Sequence, residues 1–226
     1  MPNVPVSAGF IIDGNRRFAK ERGLPTLEGH RQGIEKLLTA IEWAQDAGIK
    51  ETVFYIFSTE NWNRSPEEVA YLMDLLTEFF KKSAKRLEET GVRVRIVGDL
   101  SRASDEVVRT LREVEERTKR GAQHTAAFAF SYGGRTEILH AVNKLLGERR
   151  EHVSEKEFED ALYTAGLADP DLIIRTGGEM RLSNFLPWQG VYSELFFTET
   201  KWPAFTKEEF QGILESFAAR ERRRGK

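Results

Sequence analysis

Six short runs of β-branched and aromatic residues, separated by longer stretches of helical period, restrict the folds open to this chain more than any other feature. The runs are Ala8–Ile12, Thr52–Phe57, Val92–Val97, Thr125–Ser131, Asp171–Arg175 and Glu194–Phe197. Each is too short for a stable helix and rich in side chains that pack well on a pleated surface. Between them, Ile34, Leu37, Leu38, Ile41 and Ala44 follow the spacing of a helix with one buried face. A second helix announces its own start, with Ser65 as cap, Pro66 in the first helical position and Glu68 to complete a capping box. Its apolar positions are Val69, Leu72, Met73, Leu76, Phe79, Phe80 and Leu87. Ser154 with Glu157, and Thr206 with Glu209, open two later helices the same way. This alternation predicts a single α/β domain over residues 1–226, with a central, mostly parallel six-stranded sheet flanked by helices. In such folds ligands bind beyond the carboxyl ends of the strands.

Composition narrows the function. No run approaches the roughly 20 apolar residues a bilayer span needs, and the first residues lack the basic head and apolar core of a signal peptide. With no cysteine, disulfides and thiolate chemistry are excluded, and a reducing cytoplasm is the expected location. A net charge of −2 speaks against nucleic acid as a partner. Arginines nevertheless crowd at Arg16 and Arg17, and again at Arg220, Arg222, Arg223 and Arg224. A local cluster in a near-neutral chain suits a small anion.

Three motifs follow predicted strands. The first runs from Phe10 to Phe18 and holds Asp13, Gly14, Asn15, Arg16 and Arg17. Arginine forks fit phosphate oxygens, and a carboxylate facing phosphates repels them unless a divalent cation lies between. An Asp-Gly turn with solvated arginines is the alternative. In either case Asp13 sits at a strand tip, so its loss is expected to leave the fold intact. The second motif, Phe57 to Pro66, crowds Ser58, Thr59, Glu60, Asn61, Trp62 and Arg64 into a loop suited to closing over a substrate. An Asx-turn with Trp62 covering the core edge accounts for part of it. The third, Ile174 to Phe185, places Arg175, Arg181, Leu182 and Ser183 around Gly177 and Gly178 as another anion cradle. Glu194 is a candidate metal ligand or a surface ion pair. The four histidines show no zinc spacing, and His30 either contacts phosphate or is an ordinary helix residue.

In this order and spacing the motifs resemble the cis-prenyltransferase family. The likeness runs from Phe10 to Gly225 and includes Glu28-Gly29-His30, Ser131-Tyr132-Gly133-Gly134-Arg135, Trp188-Gln189, Trp202-Pro203 and the terminal Arg223-Arg224-Gly225. It implies a homodimer with a hydrophobic tunnel and a Mg²⁺ cofactor. The substrates it implies are isopentenyl diphosphate and an allylic diphosphate such as farnesyl or geranylgeranyl diphosphate. By the same resemblance Asp13 matches the metal-binding carboxylate, while Gly14, Asn15, Arg16, Arg17, Phe18 and His30 fall at the allylic diphosphate. Ser58, Thr59, Glu60, Asn61, Trp62 and Arg64 match the ordering loop, with Asn61 in proton removal. Arg175, Arg181, Leu182 and Ser183 fall at the isopentenyl diphosphate. Glu194 matches a metal position acting with the partner subunit, and peripheral membrane contact would accompany product release. The chain departs from bacterial members at Ser7, Arg16, Thr26 and Met180. Met180 stands where many have a metal-contacting histidine, and its soft sulfur is a poor Mg²⁺ ligand. A non-catalytic partner subunit is the alternative. A trans-prenyltransferase is disfavoured, because no DDxxD motif occurs.

Overall fold

A computed structural model of the chain describes residues 4–220. Arg222, Arg223, Arg224 and Gly225 lie outside them. In chain order the elements are β1 (Ser7–Ile11), α1 (Asn15–Glu21), α2 (Thr26–Asp46), β2 (Glu51–Ser58), a 3₁₀ turn (Thr59–Asn63), α3 (Pro66–Glu89), β3 (Val92–Val97), α4 (Asp105–Thr118), β4 (His124–Tyr132), α5 (Gly134–Gly147), α6 (Glu155–Glu159), β5 (Leu172–Arg175), β6 (Glu194–Phe197), a second 3₁₀ turn (Trp202–Ala204) and α7 (Lys207–Ala218). All six strands are parallel, in the order β3-β4-β2-β1-β5-β6. This is the six-stranded α/β sheet that the strand–helix alternation predicts.

A parallel sheet has to be covered on both faces, and side-chain alternation divides the two covers. Phe10, Phe54, Phe128 and Ile174 point to one face, where they meet Leu37 and Ile41 of α2, Leu76 and Phe80 of α3, Leu111 of α4 and Phe210 of α7. Ile11, Val53, Tyr55, Ala129 and Ile173 point to the other, under Phe185 and Leu186. The first face is rich in rings. Phe54 stacks between Phe10 and Phe128 at 4.9 and 5.8 Å, and Phe80 meets Phe128 edge-on at 5.0 Å. Each such ring contributes about 1.5–3 kcal/mol through burial.

Two of the three expected capping boxes are reciprocal: Ser154 with Glu157 and Thr206 with Glu209. At α3 the expectation needs correcting. Ser65 does cap, accepting from the Glu68 N–H at 3.3 Å, and Pro66 is the first helical residue. The Glu68 side chain, however, does not return to Ser65. It reaches His30 at 3.2 Å and Arg64 at 2.9 Å instead, because a carboxylate gains more from a guanidinium than from a neutral amide.

Topology then fixes where a site can form. After β1 the chain moves to β2 on one side, and after β5 it moves to β6 on the other. The loops leaving β1 and β5 therefore part at a switch point, which opens a crevice at their carboxyl ends. Asp13 follows one of these strands and Arg175 ends the other. No helix among the described residues is long and apolar enough to cross a membrane.

Candidate active site

The turn after β1 brings Asp13 into the crevice. Gly14 sits at φ 102°, a left-handed conformation, and a Cβ there would stand 2.8 Å from Lys201. Glycine alone allows that turn. The Asp13 carbonyl is held by two donors, the Thr176 hydroxyl at 2.8 Å and the Trp202 N–H at 3.0 Å. Trp202 is itself anchored by its indole N–H on the Gly33 carbonyl at 2.7 Å. The carboxylate is therefore placed by three separate segments.

Each of its oxygens has a partner, and the side chain stays 32% exposed. Oδ1 accepts from the Gly14 N–H at 2.6 Å, while Oδ2 accepts from Arg175 at 2.9 Å and lies 3.2 Å from Arg17. Burial works to raise the Asp13 pKa. The Arg175 hydrogen bond, the Gly14 N–H and the two guanidinium charges outweigh it and hold the carboxyl below 3.8. Arg175 is almost wholly buried and also donates to the Ser183 hydroxyl at 2.8 Å and to the Arg181 carbonyl. Its fork is committed to protein, with only Nε lacking a partner.

Around Asp13 lies a cleft of about 630 Å³, lined by Gly14, Asn15, Arg16, Arg17, Lys20, Thr26, His30 and Arg64 among others. Four cationic side chains and one carboxylate share it, in a chain of net charge −2. A concentrated positive field of this kind draws small anions. The first motif, His30 and Arg64 are thus brought together as expected. Lys20 was missed, although its i, i+4 spacing from Arg16 puts the two on one helix face. Asn15 lies against α2, where a Cβ on Gly33 would meet its Oδ1 at 2.2 Å. Phe18 is buried under the Arg22 guanidinium and is not part of this lining.

Other residues fall nearby. Glu179 joins the first and third motifs, since its carboxylate pairs with Arg17 at 3.3 Å and with Arg181. Leu182 packs into the second face of the core. In the 3₁₀ turn, Ser58 and Asn61 cap each other, and the Asn61 side chain accepts from the Ser58 N–H at 3.0 Å. Trp62 donates to the Ser131 hydroxyl at 3.0 Å, with Arg102 over its ring at 4.8 Å. Asn184 donates to Glu60 at 3.1 Å. Glu194 is not brought to the cleft. It pairs with Leu172 in register while Phe197 pairs with Arg175, which puts it about 10 Å back along the strand. There it binds Arg220. Ser7 lies at that same far end of β1, and Met180 is 78% exposed.

His30 donates towards Glu68 from a buried position. Burial, helped by the Arg64 charge and only partly offset by Glu68, lowers its pKa below 6.5. Burial lowers His124 likewise, beside Thr52 and the Ile49 carbonyl. Below 6.5 the unfolded chain takes up protons that these folded rings resist, so stability falls as pH drops from there towards the lower folded values. Melting curves at about pH 7 and about pH 5.5 check this. His30→Gln is expected to lose less stability on acidification than the parent, and an equal loss would exclude His30 as a source.

Among the described residues no group of three or more His, Asp or Glu side chains gathers to hold a metal alone. Mg²⁺ seldom needs such a cage, since one or two carboxylates with phosphate oxygens and water suffice. Asp13 beside an anion cleft fits that donor set.

Comparison with known proteins agrees with the geometry. Residues 11–225 match the prenyltransferase family model described as undecaprenyl diphosphate synthase. An isoprenyl transferase of Thermotoga maritima is 46% identical, covering 98% of this chain and 97% of that one. Another from Rhizobium meliloti is 44% identical, covering 99% and 93%. Among solved structures, lavandulyl diphosphate synthase from Lavandula x intermedia, in complex with dimethylallyl diphosphate, superposes with a TM-score of 0.95 at 32% identity, covering 99% of each chain. A probable undecaprenyl diphosphate synthase from Campylobacter jejuni gives 0.85 at 33% identity, covering 99% and 100%.

Proposed function

The chain belongs to the undecaprenyl diphosphate synthase family of prenyltransferases, and from that premise we propose that it condenses isopentenyl diphosphate with an allylic diphosphate, using Mg²⁺, to build a polyprenyl diphosphate. One arrangement carries the reading: a single carboxylate at the β1/β5 switch point, gripped by Arg175 and Arg17, opening on a cleft of cationic side chains. Mg²⁺ bound by Asp13 and phosphate oxygens would act as a Lewis acid on the departing diphosphate.

The chain's own residues do the rest by orientation and charge. Arg16, Lys20 and Arg64 hold the allylic diphosphate. Arg175 orients Asp13 and fixes the Ser183 hydroxyl. An arriving diphosphate competes with Glu179 for Arg17 and Arg181. As the allylic C–O bond breaks, the isopentenyl double bond attacks the allylic carbon, and loss of a proton restores an alkene. Asn61 takes part in that last step only after releasing the Ser58 N–H. A homodimer completes the reading, supported by an apolar stripe on α5 where Leu139 and Leu146 are 62% and 65% exposed. In a dimer Glu194 acts from the partner's side.

The test is incubation with labelled isopentenyl diphosphate, several allylic primers and Mg²⁺, followed by separation of the dephosphorylated lipids. Label in primer-dependent, extended prenols is expected; no label with any primer sinks the reading. The same assay examines the tunnel. Leu76 and Phe79 pack in the ring cluster with Phe128, and in this reading the growing chain runs beside them. Leu76→Ala, which opens space there, is expected to lengthen the product by one isoprene unit or more. An identical distribution would make these residues core only.

A further inference from the structure

Three chain segments distant in sequence meet at Asn184, which has no role in the chemistry above. Its Oδ1 accepts from the Arg135 N–H at 2.9 Å, and its carbonyl accepts from the Gly134 N–H at 2.8 Å. These are the first two amides of α5, whose own cap position, Gly133, offers no side chain. A helix start needs such acceptors, and here the third motif supplies them. Its Nδ2 donates the other way, to Glu60 in the 3₁₀ turn.

The approach is built for. A Cβ on Gly133 would stand 2.6 Å from the Thr59 hydroxyl and 2.8 Å from Asn184 Nδ2, so a side chain there would have to displace one of the groups that meet at this point. Asn184 itself sits at φ 68°, and Ser183 before it at φ 49°. Asparagine tolerates that left-handed region better than most residues. The carboxylate it holds, Glu60, has its pKa lowered: burial opposes this, and hydrogen bonds including that of Asn184 outweigh it.

We infer that Asn184 is a positioning residue, whose amide ties the Ser58–Arg64 segment to the Arg175–Ser183 cradle and so holds the two substrate-facing motifs in register. One face of the amide anchors to the rigid start of α5, and the other sets the height of the segment that carries Asn61 and Trp62. The inference rests on the proposed prenyl transfer for its kinetic consequence but not for its structural one.

Asn184→Asp separates the two faces. Aspartate keeps the left-handed conformation and the acceptor for Arg135, but sets a carboxylate against Glu60. Hydrogen exchange in the full chain is then expected to speed up across Ser58–Arg64 while α5 keeps its protection. Adding Glu60→Gln supplies a donor to the new carboxylate, and the double variant is expected to regain protection over that segment. Glu60→Gln alone still offers an oxygen to Asn184 and serves as the reference. In turnover, Asn184→Asp is expected to lower kcat/KM on the order of 10- to 100-fold, the effect of one broken charge-assisted hydrogen bond. Unchanged exchange in Asn184→Asp, or a double variant no better protected than that single one, overturns the tie. Exchange that behaves as expected in a chain that transfers no prenyl group leaves the tie standing and removes the proposed function instead.

Discussion

Asparagine in place of Asp13 is expected to leave the protein folded and to cut kcat for condensation by about 10³-fold or more, as loss of a preorganised charge at a reacting centre does. The amide keeps one acceptor oxygen, enough for either the Gly14 N–H or Arg175, and so loses one hydrogen bond as well as the charge that a hard cation needs. Alanine is the poorer test. The strand-tip position suggests that Asp13 can be removed without harm to the fold, but its partner Arg175 is 4% exposed in its side chain. Removing one member of a buried pair costs about 3–5 kcal/mol. Asp13 is itself 32% exposed, so the lower end applies. Steady-state kinetics beside thermal melts separate the two effects. Normal turnover by Asp13→Asn would defeat the assignment of Asp13 to the metal. Because the folded carboxyl lies below 3.8, its contribution to stability is present above that value and lost as pH falls through the lowered one.

The second large effect is expected at Arg175. Arg175→Met removes the donors to Asp13, Ser183 and the Arg181 carbonyl together. Stability should fall by roughly 2–4 kcal/mol, and kcat with it, because Asp13 keeps Arg17 as its one guanidinium partner beside the Gly14 N–H. Arg175→Lys retains the charge without the fork and should fall between. Arg181→Ala is the contrast. That side chain is 59% exposed and paired with Glu179, so melting should not move. The KM for isopentenyl diphosphate should rise roughly tenfold, the worth of one charge-assisted contact. Arg175 variants that changed only that KM and melted normally would restore Arg175 to the simple clamp the motif suggests.

This contrast marks what the sequence could disclose. Strands were legible as short runs rich in β-branched and aromatic residues: Val92–Val97 and Glu194–Phe197 match to the residue, and the other four shift by a single residue at one or both ends. The first motif was legible because its residues are contiguous in a turn. Long-range pairing was not. Nothing in the spacing of Glu68 tells that its carboxylate turns to His30, 38 positions away. Nor does Glu179 declare that it bridges Arg17 and Arg181, or Asn184 that it caps a helix amide 49 positions earlier. Register, too, is invisible in one strand alone. Only pairing with β5 puts Glu194 at the opposite end of the sheet from Asp13.

Strand order has a bearing on how the molecule is made. The acid at the tip of β1 and the guanidinium that ends β5 are 162 residues apart, and translation at 5–20 residues per second leaves roughly 8–32 s between them. During that interval the nascent chain can pair β1, β2, β3 and β4, yet one edge of β1 waits open for a strand not yet synthesised. An unpaired edge is where foreign strands add. The half-made enzyme is therefore inert and sticky at the same seam, and both conditions end together when β5 docks.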